Sequence, residues 1–352
     1  MNTDRTGQIR SFVLRAIGDH PKDIIRLTTE QFGISRQYVA RILRRLVTEG
    51  LVTATGRTRD RTYGLRPLVE KVLSYELKPD LAEDQVWREG VVPLLPELPR
   101  NVYDICQYGF TEILNNAIHH SGGTRVECAV HVTAISIGLW VIDDGVGIFK
   151  KVKNEAGLED ERHAILELSK GKLTTDPQHH TGEGIFFTSR IFDRFAIRSG
   201  ELSLHHQEPG GDWLIDVPGD APPGTAIKME VSRDSTRTIK EVFELYASSE
   251  DDFSFCKTRV PVQLLRYGEE NLISRSQARR LLARFDRFRE ILLDFAGVNM
   301  IGQAFADEIF RVFCSEYPQI RLYYINTNED VVRMIRRAIA TLTASELPDT
   351  PA

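Results

Sequence analysis

Cysteine is scarce in this sequence of 352 residues, and the four that occur, Cys106, Cys128, Cys256 and Cys314, lie far apart in apolar surroundings. A zinc site of the paired-cysteine kind needs close CxxC pairs, and a disulfide framework needs a much denser set. Neither pattern is present in the sequence. We therefore interpret the four cysteines as core thiols.

Long apolar runs are also missing. No stretch approaches the roughly 20 apolar residues that cross a bilayer, and the first ten residues, MNTDRTGQIR, show no apolar run typical of a secretory signal. With 41% hydrophobic and 27% charged residues, the composition is that of a globular protein, and the length allows two or three domains. We expect a cytoplasmic protein that does not bind membranes.

The charge is distributed unevenly along the chain, although the net charge is only −5. Residues 1–66 contain thirteen Lys and Arg against six Asp and Glu, whereas the remainder contains 32 against 44. A basic segment on an acidic body predicts that the segment meets a polyanion while the rest does not.

The basic segment contains two short helices across a tight turn, in the run LTTEQFGISRQYVARILRRLVTEGLV of residues 27–52. Gly33 breaks the first helix, and Ser35 is a good N-cap for the second. In the second helix apolar residues recur at the spacing of a buried face, which leaves the arginines outside. Two strand-like runs follow, up to Leu65, with an arginine-rich tip between them.

This arrangement resembles a winged helix-turn-helix. Its second helix can enter a DNA major groove while arginines of the wing neutralise phosphates. The expected DNA contacts are Arg36, Gln37, Tyr38, Arg41, Arg57, Arg59 and Arg61. The alternative is a protein-interaction or dimerisation module, but a purely structural hairpin has no need of three arginines at its tip. Winged helices usually bind DNA as dimers, so we expect a homodimer.

Residues 102–121 follow the pattern of one long helix. Glu112 and Asn116 are four residues apart and therefore share a face of it. An amide oxygen is a hard ligand suited to Mg²⁺, and a carboxylate one turn away can orient or deprotonate a nucleophile. Taken alone, such a pair is typical of the surface of any amphipathic helix.

Two glycine-containing turns follow that helix in the sequence. An apolar strand over residues 135–142 runs into DDGVGI, where Asp143 can accept a hydrogen bond from an exocyclic amine such as that of adenine. Gly145 and Gly147 allow positive φ and a close approach to a ligand. Further along, HTGEGI at residues 180–185 opens a helix, whose free amides and dipole suit phosphate.

In order and spacing, EILNNAIHHS, DDGVGI and HTGEGIFF resemble the N, G1 and G2 boxes of the gyrase and histidine kinase superfamily, often called GHKL. The resemblance covers about residues 80–232. It implies a Bergerat-type α/β sandwich that binds ATP with Mg²⁺, with Asn116 on the metal, Asp143 on adenine and Glu112 as candidate base. The remaining nucleotide-binding positions that it implies are Gly145, Gly147, Thr181, Gly182, Gly184 and Thr225.

The resemblance also implies a mobile lid over residues 150–180. For Lys170 and Lys172 within it, we favour solvated loop charges over γ-phosphate ligands. After Gly184 the chain continues Ile-Phe-Phe, where histidine kinases usually have a second glycine pair, and this is more similar to anti-sigma-factor serine kinases. No phosphoacceptor helix with a His-Glu or His-Asp pair precedes the boxes, so we do not expect a sensor histidine kinase.

Strands and helices alternate three times between residues 257 and 340. The run ILLDFAGVNMIGQAFADEIFRVF resembles the STAS domain of anti-sigma-factor antagonists, and especially a STAS-like domain of unknown function. Where the antagonists carry a phosphorylated serine pair, this chain has Gly302, Gln303 and Ala304. Self-phosphorylation at that position is therefore not expected, and we interpret the segment as a docking or dimerisation module for a protein partner.

The sequence thus predicts a multidomain α/β protein. Its expected parts are a winged helix-turn-helix (1–66), a linker with a lead-in helix (67–98), the GHKL ATP-binding domain (99–232), a linker (233–256), the STAS-like α/β domain (257–342) and a tail (343–352). We expect a transcriptional regulator in which Mg-ATP controls DNA binding. The alternatives are a serine/threonine kinase acting on a separate protein, and an ATP-gated binding module with negligible turnover. The enzyme activities that we consider are slow ATP hydrolysis and phosphate transfer to a protein.

Overall fold

The computed structural model describes residues 2–57, 60–173, 182–219, 222–247, 255–268 and 270–345. The fold is mixed α/β, with a two-stranded, a seven-stranded and a three-stranded sheet that follow one another along the chain. None of the helices in these ranges is long and apolar enough to span a membrane.

The first unit, which we call the head, has three helices and a hairpin. These are α1 (Asn2–Ala16), α2 (Ile24–Phe32), α3 (Arg36–Thr48), β1 (Val52–Thr55) and the antiparallel β2 (Thr62–Leu65). Its separate core consists of Ile9, Val13, Ile17, Ile24, Val39, Ile42, Leu43, Leu46 and Val52. The buried spacing predicted for α3 is thereby confirmed.

The turn between α2 and α3 also has the predicted chemistry. Gly33 ends α2 in the left-handed conformation at φ 62°, and Ser35 Oγ accepts a hydrogen bond from the backbone N–H of Tyr38 at 3.2 Å. Since an unsatisfied amide at a helix start is costly, the Ser35 hydroxyl stabilises the first turn of α3.

Ser35→Ala is expected to destabilise α3 by about 1 kcal/mol, because one amide of the first turn loses its acceptor. Native-state hydrogen exchange of the α3 amides in the full chain measures this change. Ser11→Ala is the matched control, since Ser11 is exposed inside α1 and alanine is the better helix former. Equal acceleration of head exchange by both substitutions would contradict the capping role.

The second unit, the middle unit, contains one antiparallel sheet. Its strands are β3 (Val69–Glu76), β4 (Arg125–Val132), β5 (Ser136–Asp143), β6 (Arg194–Ser199), β7 (Leu202–Gln207), β8 (Gly211–Asp216) and β9 (Thr225–Ser232). They lie in the order β3-β4-β5-β9-β6-β7-β8. Burial alternates along β4 and β9, so one face of the sheet is covered and the other is partly open.

The middle unit also contains several helices, the longest of which packs on β5 and β9. They are α4 (Glu83–Gln85), continued by a π-helical turn (Val86–Val91) and a 3-10 turn (Val92–Leu94), then α5 (Arg100–His120), α6 (Ile148–Ala156), α7 (Glu161–Lys170), α8 (Gly184–Ile191) and α9 (Ile239–Tyr246). The long helix predicted over residues 102–121 is confirmed as α5. The helix predicted to open at HTGEGI is α8, which ends at Ile191, and β6 begins at Arg194.

Two intervals that we expected to be linkers contain regular structure. Residues 69–76 form β3, which pairs with β4 over its whole length, and residues 239–246 form α9. Strand β3 is an edge strand whose exposed residues are polar apart from Val72, so its sequence lacks the apolar run of a central strand. The segment 67–98, predicted as a linker with a lead-in helix, thus begins with a strand, and the predicted linker 233–256 contains a helix.

The third unit, the C-terminal unit, is a parallel sheet with helices. Strands β10 (Lys257–Pro261), β11 (Glu290–Asp294) and β12 (Arg321–Ile325) lie in that order. Between and after them come a 3-10 turn (Val262–Leu265), α10 (Arg275–Leu282), a second 3-10 turn (Phe285–Arg287), α11 (Gln303–Asp307), a π-helical segment (Glu308–Phe313), α12 (Cys314–Glu316) and α13 (Glu329–Ser345). The predicted alternation is confirmed. One apolar core runs through the middle and C-terminal units.

Candidate functional site

A pocket lies in the middle unit where α5, the turn after β5, α6, the start of α8 and the start of β9 meet. Residues from all three predicted motifs line it, although these motifs are far apart in the sequence. The predicted residues that line the pocket are Glu112, Asn116, Asp143, Gly147, Gly182, Gly184 and Thr225. Thr181 lies outside the described residues.

Asp143 ends β5 and is 7% exposed. Its Oδ1 accepts hydrogen bonds from the backbone N–H groups of Gly145 at 2.9 Å and Thr225 at 3.3 Å. Oδ2 takes no part in these two bonds. Burial raises the pKa of Asp143, as expected for a carboxylate withdrawn from water. The strand therefore holds one carboxylate oxygen fixed and presents the side chain to the pocket.

The neighbouring Asp144 has a different environment, outside the pocket lining. Its carboxylate accepts hydrogen bonds from the Thr124 backbone and hydroxyl, both at 2.7 Å, and from the Arg125 backbone at 2.9 Å. These bonds, led by that from the Arg125 backbone, lower the pKa of Asp144 to about 2. Asp144 thus fastens the start of β4 to the end of β5, whereas Asp143 faces the pocket.

The glycines of the turn after β5 differ in their surroundings. Gly147 lines the pocket and has φ 86°, a conformation that favours glycine. Gly145 is not among the lining residues; a Cβ there would overlap the carbonyl oxygen of Ser121 at the end of α5. Close packing of the turn against α5 therefore accounts for Gly145, which we had expected to contact the ligand.

Glu112 and Asn116 line the pocket from consecutive turns of α5, so the predicted shared face is confirmed. Gly184, the first residue of α8, lies against Glu112, and a Cβ there would overlap the Glu112 Oε2 atom. Glycine thus allows the start of α8 to approach this carboxylate closely. Amides at the start of a helix are donors suited to an anion.

The side chains that could coordinate a metal ion in this pocket suit Mg²⁺ better than zinc. Among the described residues, no three or more His, Cys, Asp or Glu side chains form a group that could hold a metal ion. The pocket instead offers two amides and one carboxylate on α5, Asn115, Asn116 and Glu112. Magnesium commonly uses one or two protein oxygens and completes its shell with water and phosphate oxygens.

Helix α6 contributes pocket residues that we did not predict. Lys151 lines the pocket, donates a hydrogen bond from Nζ to the carbonyl oxygen of His120 at 2.7 Å, and lies 3.6 Å from Glu155. A lysine on an amphipathic helix is common, so the sequence carried no specific signal for it. Leu173 also lines the pocket, three residues after the end of α7.

The expectation that Lys170 and Lys172 are solvated loop charges is wrong for Lys170. Lys170 is the last residue of α7 and is 1% exposed. Its Nζ lies 2.5 Å from Glu167 Oε1 and donates to the carbonyl oxygen of Ala283 at 2.9 Å. Burial lowers its pKa. The C-terminal unit covers this side chain, which does not line the pocket.

The lid predicted over residues 150–180 contains regular structure in its described part. Residues 150–173 include most of α6 and all of α7, whose residues 164–170 are buried. Lys172 is partly exposed and donates to the carbonyl oxygen of Arg287 at 2.9 Å. Residues 174–180 lie outside the described residues.

The predicted DNA-contacting residues of the head are mostly exposed. Arg36, Gln37 and Arg41 on α3 and Arg57 and Arg61 beside the hairpin tip are all exposed. Arg59 lies outside the described residues.

Tyr38 differs from these residues, because it is only partly exposed. Its hydroxyl lies 3.1 Å from the hydroxyl of Thr6 on α1, and the Arg41 guanidinium lies 5.9 Å from the centre of its ring. Tyr38 therefore also helps to pack α3 against α1.

Comparison with known proteins concerns the C-terminal unit. No curated protein matches this chain. Residues 277–332 match the family described as a STAS-like domain of unknown function (DUF4325). The matched span runs from α10 into α13 and includes β11 and β12, so the C-terminal unit contains a STAS-like domain.

Proposed function

We propose that the protein is an ATP-binding and DNA-binding transcriptional regulator, in which Mg-ATP bound to the middle unit controls the head and the whole C-terminal unit from Phe255 onward (hereafter the STAS-like unit). The observation that carries this proposal is the convergence of three separated motifs on one pocket. In the proposal the middle unit is a Bergerat-type domain of the GHKL superfamily, and the head is a winged helix-turn-helix.

The side chains of the pocket suit the parts of ATP. Asp143 is an acceptor for the exocyclic amine of adenine, next to Thr225, whose hydroxyl accepts from the Ile148 backbone at 3.0 Å. The start of α8 at Gly184 offers backbone donors to phosphate. Bound Mg²⁺, held by Asn116 and the phosphates, would supply charge neutralisation at the phosphate oxygens. Glu112 can orient an attacking nucleophile there and accept its proton.

The head has the chemistry expected of a DNA reader. Arg36, Gln37 and Arg41 are exposed on α3, and guanidinium and amide groups form bidentate contacts with base edges. Arg57 and Arg61 of the hairpin can neutralise phosphates, which adds affinity that depends on salt but not on sequence. DNA is therefore the favoured partner, and a homodimer is the favoured assembly.

A serine/threonine kinase acting on a separate protein is the second candidate. It is favoured by Glu112, a carboxylate that lines the pocket beside the start of α8. The chain's own STAS-like unit is a poor acceptor, because Gly302, Gln303 and Ala304 stand where the antagonists carry serine. Gly302 also packs near the start of α10, and its N–H donates to the Leu272 carbonyl oxygen at 2.8 Å. The other end of α10 contacts α7, because the carbonyl oxygen of Ala283 accepts a hydrogen bond from Lys170.

Glu112→Gln discriminates the two functions. For the regulator, the variant is expected to bind Mg-ATP within about threefold of the wild type and to keep an ATP-dependent change in DNA affinity, because the amide retains the size of the side chain and removes only the base. Calorimetry and DNA gel shifts measure both properties. Transfer of labelled γ-phosphate to a lysate protein by the wild type, lost in Glu112→Gln, would instead favour the kinase.

A further inference from the structure

Helix α7 lies between the pocket of the middle unit and the STAS-like unit. On one side it packs along α6, which lines the pocket with Ile148, Lys151, Val152 and Glu155. Leu173 continues the pocket wall three residues after α7 ends. On its other side α7 contacts β10 and the 3-10 turn that follows β10. A displacement of α7 would therefore move part of the pocket wall.

The last turn of α7 is fixed by a buried set of charges. Glu167 is 1% exposed and pairs with Lys170, while its other carboxylate oxygen accepts from Arg284 Nη1 at 2.9 Å. The Lys170 ammonium also lies 3.4 Å from the carbonyl oxygen of Arg280 and 2.9 Å from that of Ala283, at the end of α10. A cation is favourable at a helix C-terminus, where carbonyl groups lack partners.

The first turn of α7 is held by Tyr267, which precedes α10. The guanidinium groups of Arg162 and Arg280 each lie 5.5 Å from the centre of the Tyr267 ring. The Tyr267 hydroxyl donates to Asp160, the N-cap of α7, and Arg280 Nη1 lies 3.2 Å from Glu159. The STAS-like unit thus holds both ends of one ten-residue helix.

A separate aromatic contact joins the STAS-like unit to α8, whose first residue lines the pocket. The ring of Phe186 lies 4.8 Å from that of Phe255, and the ring of Phe187 lies 5.1 Å from it. Phe255 also packs edge-on against Phe288, which precedes β11. Helices α7 and α8 therefore both contact the same unit.

From these contacts we infer that the STAS-like unit is an intramolecular effector of the pocket, with Lys170, Tyr267 and Arg280 as positioning residues that act through α7. These contacts of Lys170, Tyr267 and Arg280, which we call the clamp, order α7 before a ligand arrives, so the ligand does not bear that entropic cost. By linkage, a ligand in the pocket strengthens the clamp by the same factor. The identity of the ligand as a nucleotide rests on the proposed function.

Tyr267→Ala and Arg280→Ala test this inference in the full chain. Each is expected to weaken binding of a non-hydrolysable Mg-ATP analogue about tenfold by calorimetry, within the usual range of coupling between sites. Tyr267→Phe keeps the ring between the two guanidinium groups and is expected to show a smaller loss. The matched control is Arg321→Ala, which removes a 71% exposed arginine paired with Glu290 on β11 and should leave the affinity unchanged.

Hydrogen exchange in the ligand-free protein provides the second readout. The two clamp variants are expected to accelerate exchange over residues 148–156 and 161–173, and Arg321→Ala is not. If the clamp variants exchange their amides as slowly as the wild type, the inference is overturned. It is also overturned if exchange is faster but the nucleotide affinity is unchanged, because the clamp is then merely structural. If the wild-type protein binds no nucleotide, the proposed function fails. Amide exchange of α6 in the clamp variants is then the readout that decides whether α7 positions the pocket wall.

Discussion

Asp143→Asn is expected to lower the affinity for Mg-ATP about 100-fold, because the nucleotide loses one hydrogen bond to a charged group. In the wild type, Oδ1 accepts the N–H groups of Gly145 and Thr225. The single amide oxygen of asparagine must take over that role, which leaves its NH₂ group toward the pocket. Two hydrogen-bond donors, the asparagine NH₂ group and the exocyclic amine of adenine, then face each other. Calorimetric titration with Mg-ATP measures the loss.

Asp144→Asn is the matched control, with the same substitution at the next residue. Since Asp144 bonds Thr124 and Arg125 and does not line the pocket, nucleotide affinity should stay near that of the wild type while the melting temperature falls. Its folded pKa of about 2 lies below the ordinary value of 3.8. The carboxylate therefore stabilises the fold above about pH 4, and this contribution is lost as the pH falls toward 2. Equal loss of affinity in both variants would contradict the division of roles.

The double substitution Arg36→Glu and Arg41→Glu is expected to lower DNA affinity about 1000-fold, because two contacts of about 2 kcal/mol each are replaced by repulsion from phosphate. Fluorescence polarisation with a pool of genomic fragments from the source organism measures it. Both residues are exposed on α3, so the fold should tolerate the change.

The control for net charge is the pair Arg88→Glu and Arg333→Glu, at exposed positions outside the head. It makes the whole chain equally more acidic and is expected to change DNA affinity by less than about fivefold, since distant charges are screened by salt. Similar losses in both double variants would contradict a DNA-reading helix. A change in oligomeric state without a change in DNA affinity would favour the dimerisation module instead.

The sequence predicted those parts of the structure whose signals are local. Gly33 and Ser35 mark the turn of the head because left-handed φ and N-capping are properties of single residues. Glu112 and Asn116 share a face because helical spacing requires it. The same kind of signal was present at α9, where Thr238 and Glu241 form a capping box, but we placed this segment in a linker.

The missed features depend on contacts between distant parts of the chain. Lys170 lies in the polar run ELSKGKL, and its burial follows from a bond to Ala283, 113 residues further along. Strand β3 exists because β4 offers it an edge in register. Lys151 becomes a pocket residue only once α6 lies against the end of α5, and Leu173 only once α7 packs on α6. No local periodicity contains this information.

The head is attached directly to the middle unit. Only residues 66–68 separate β2 from β3, and the N–H of Leu68 bonds the Val132 carbonyl oxygen at 2.7 Å. Arg15 of α1 forms an ion pair with Asp234, which follows β9. The first residue of that strand, Thr225, lines the pocket. In our proposal, this short connection lets an event at the pocket alter the placement of the head.

DNA binding with and without nucleotide tests the central claim most directly. Titration of the pooled genomic fragments with the full chain, in saturating Mg-ATP analogue and in its absence, should give affinities that differ at least about fivefold, the lower end of typical coupling between sites. Asp143→Asn should remove the difference at the same nucleotide concentration. Nucleotide binding by calorimetry together with one unchanged DNA affinity in both conditions would contradict the account.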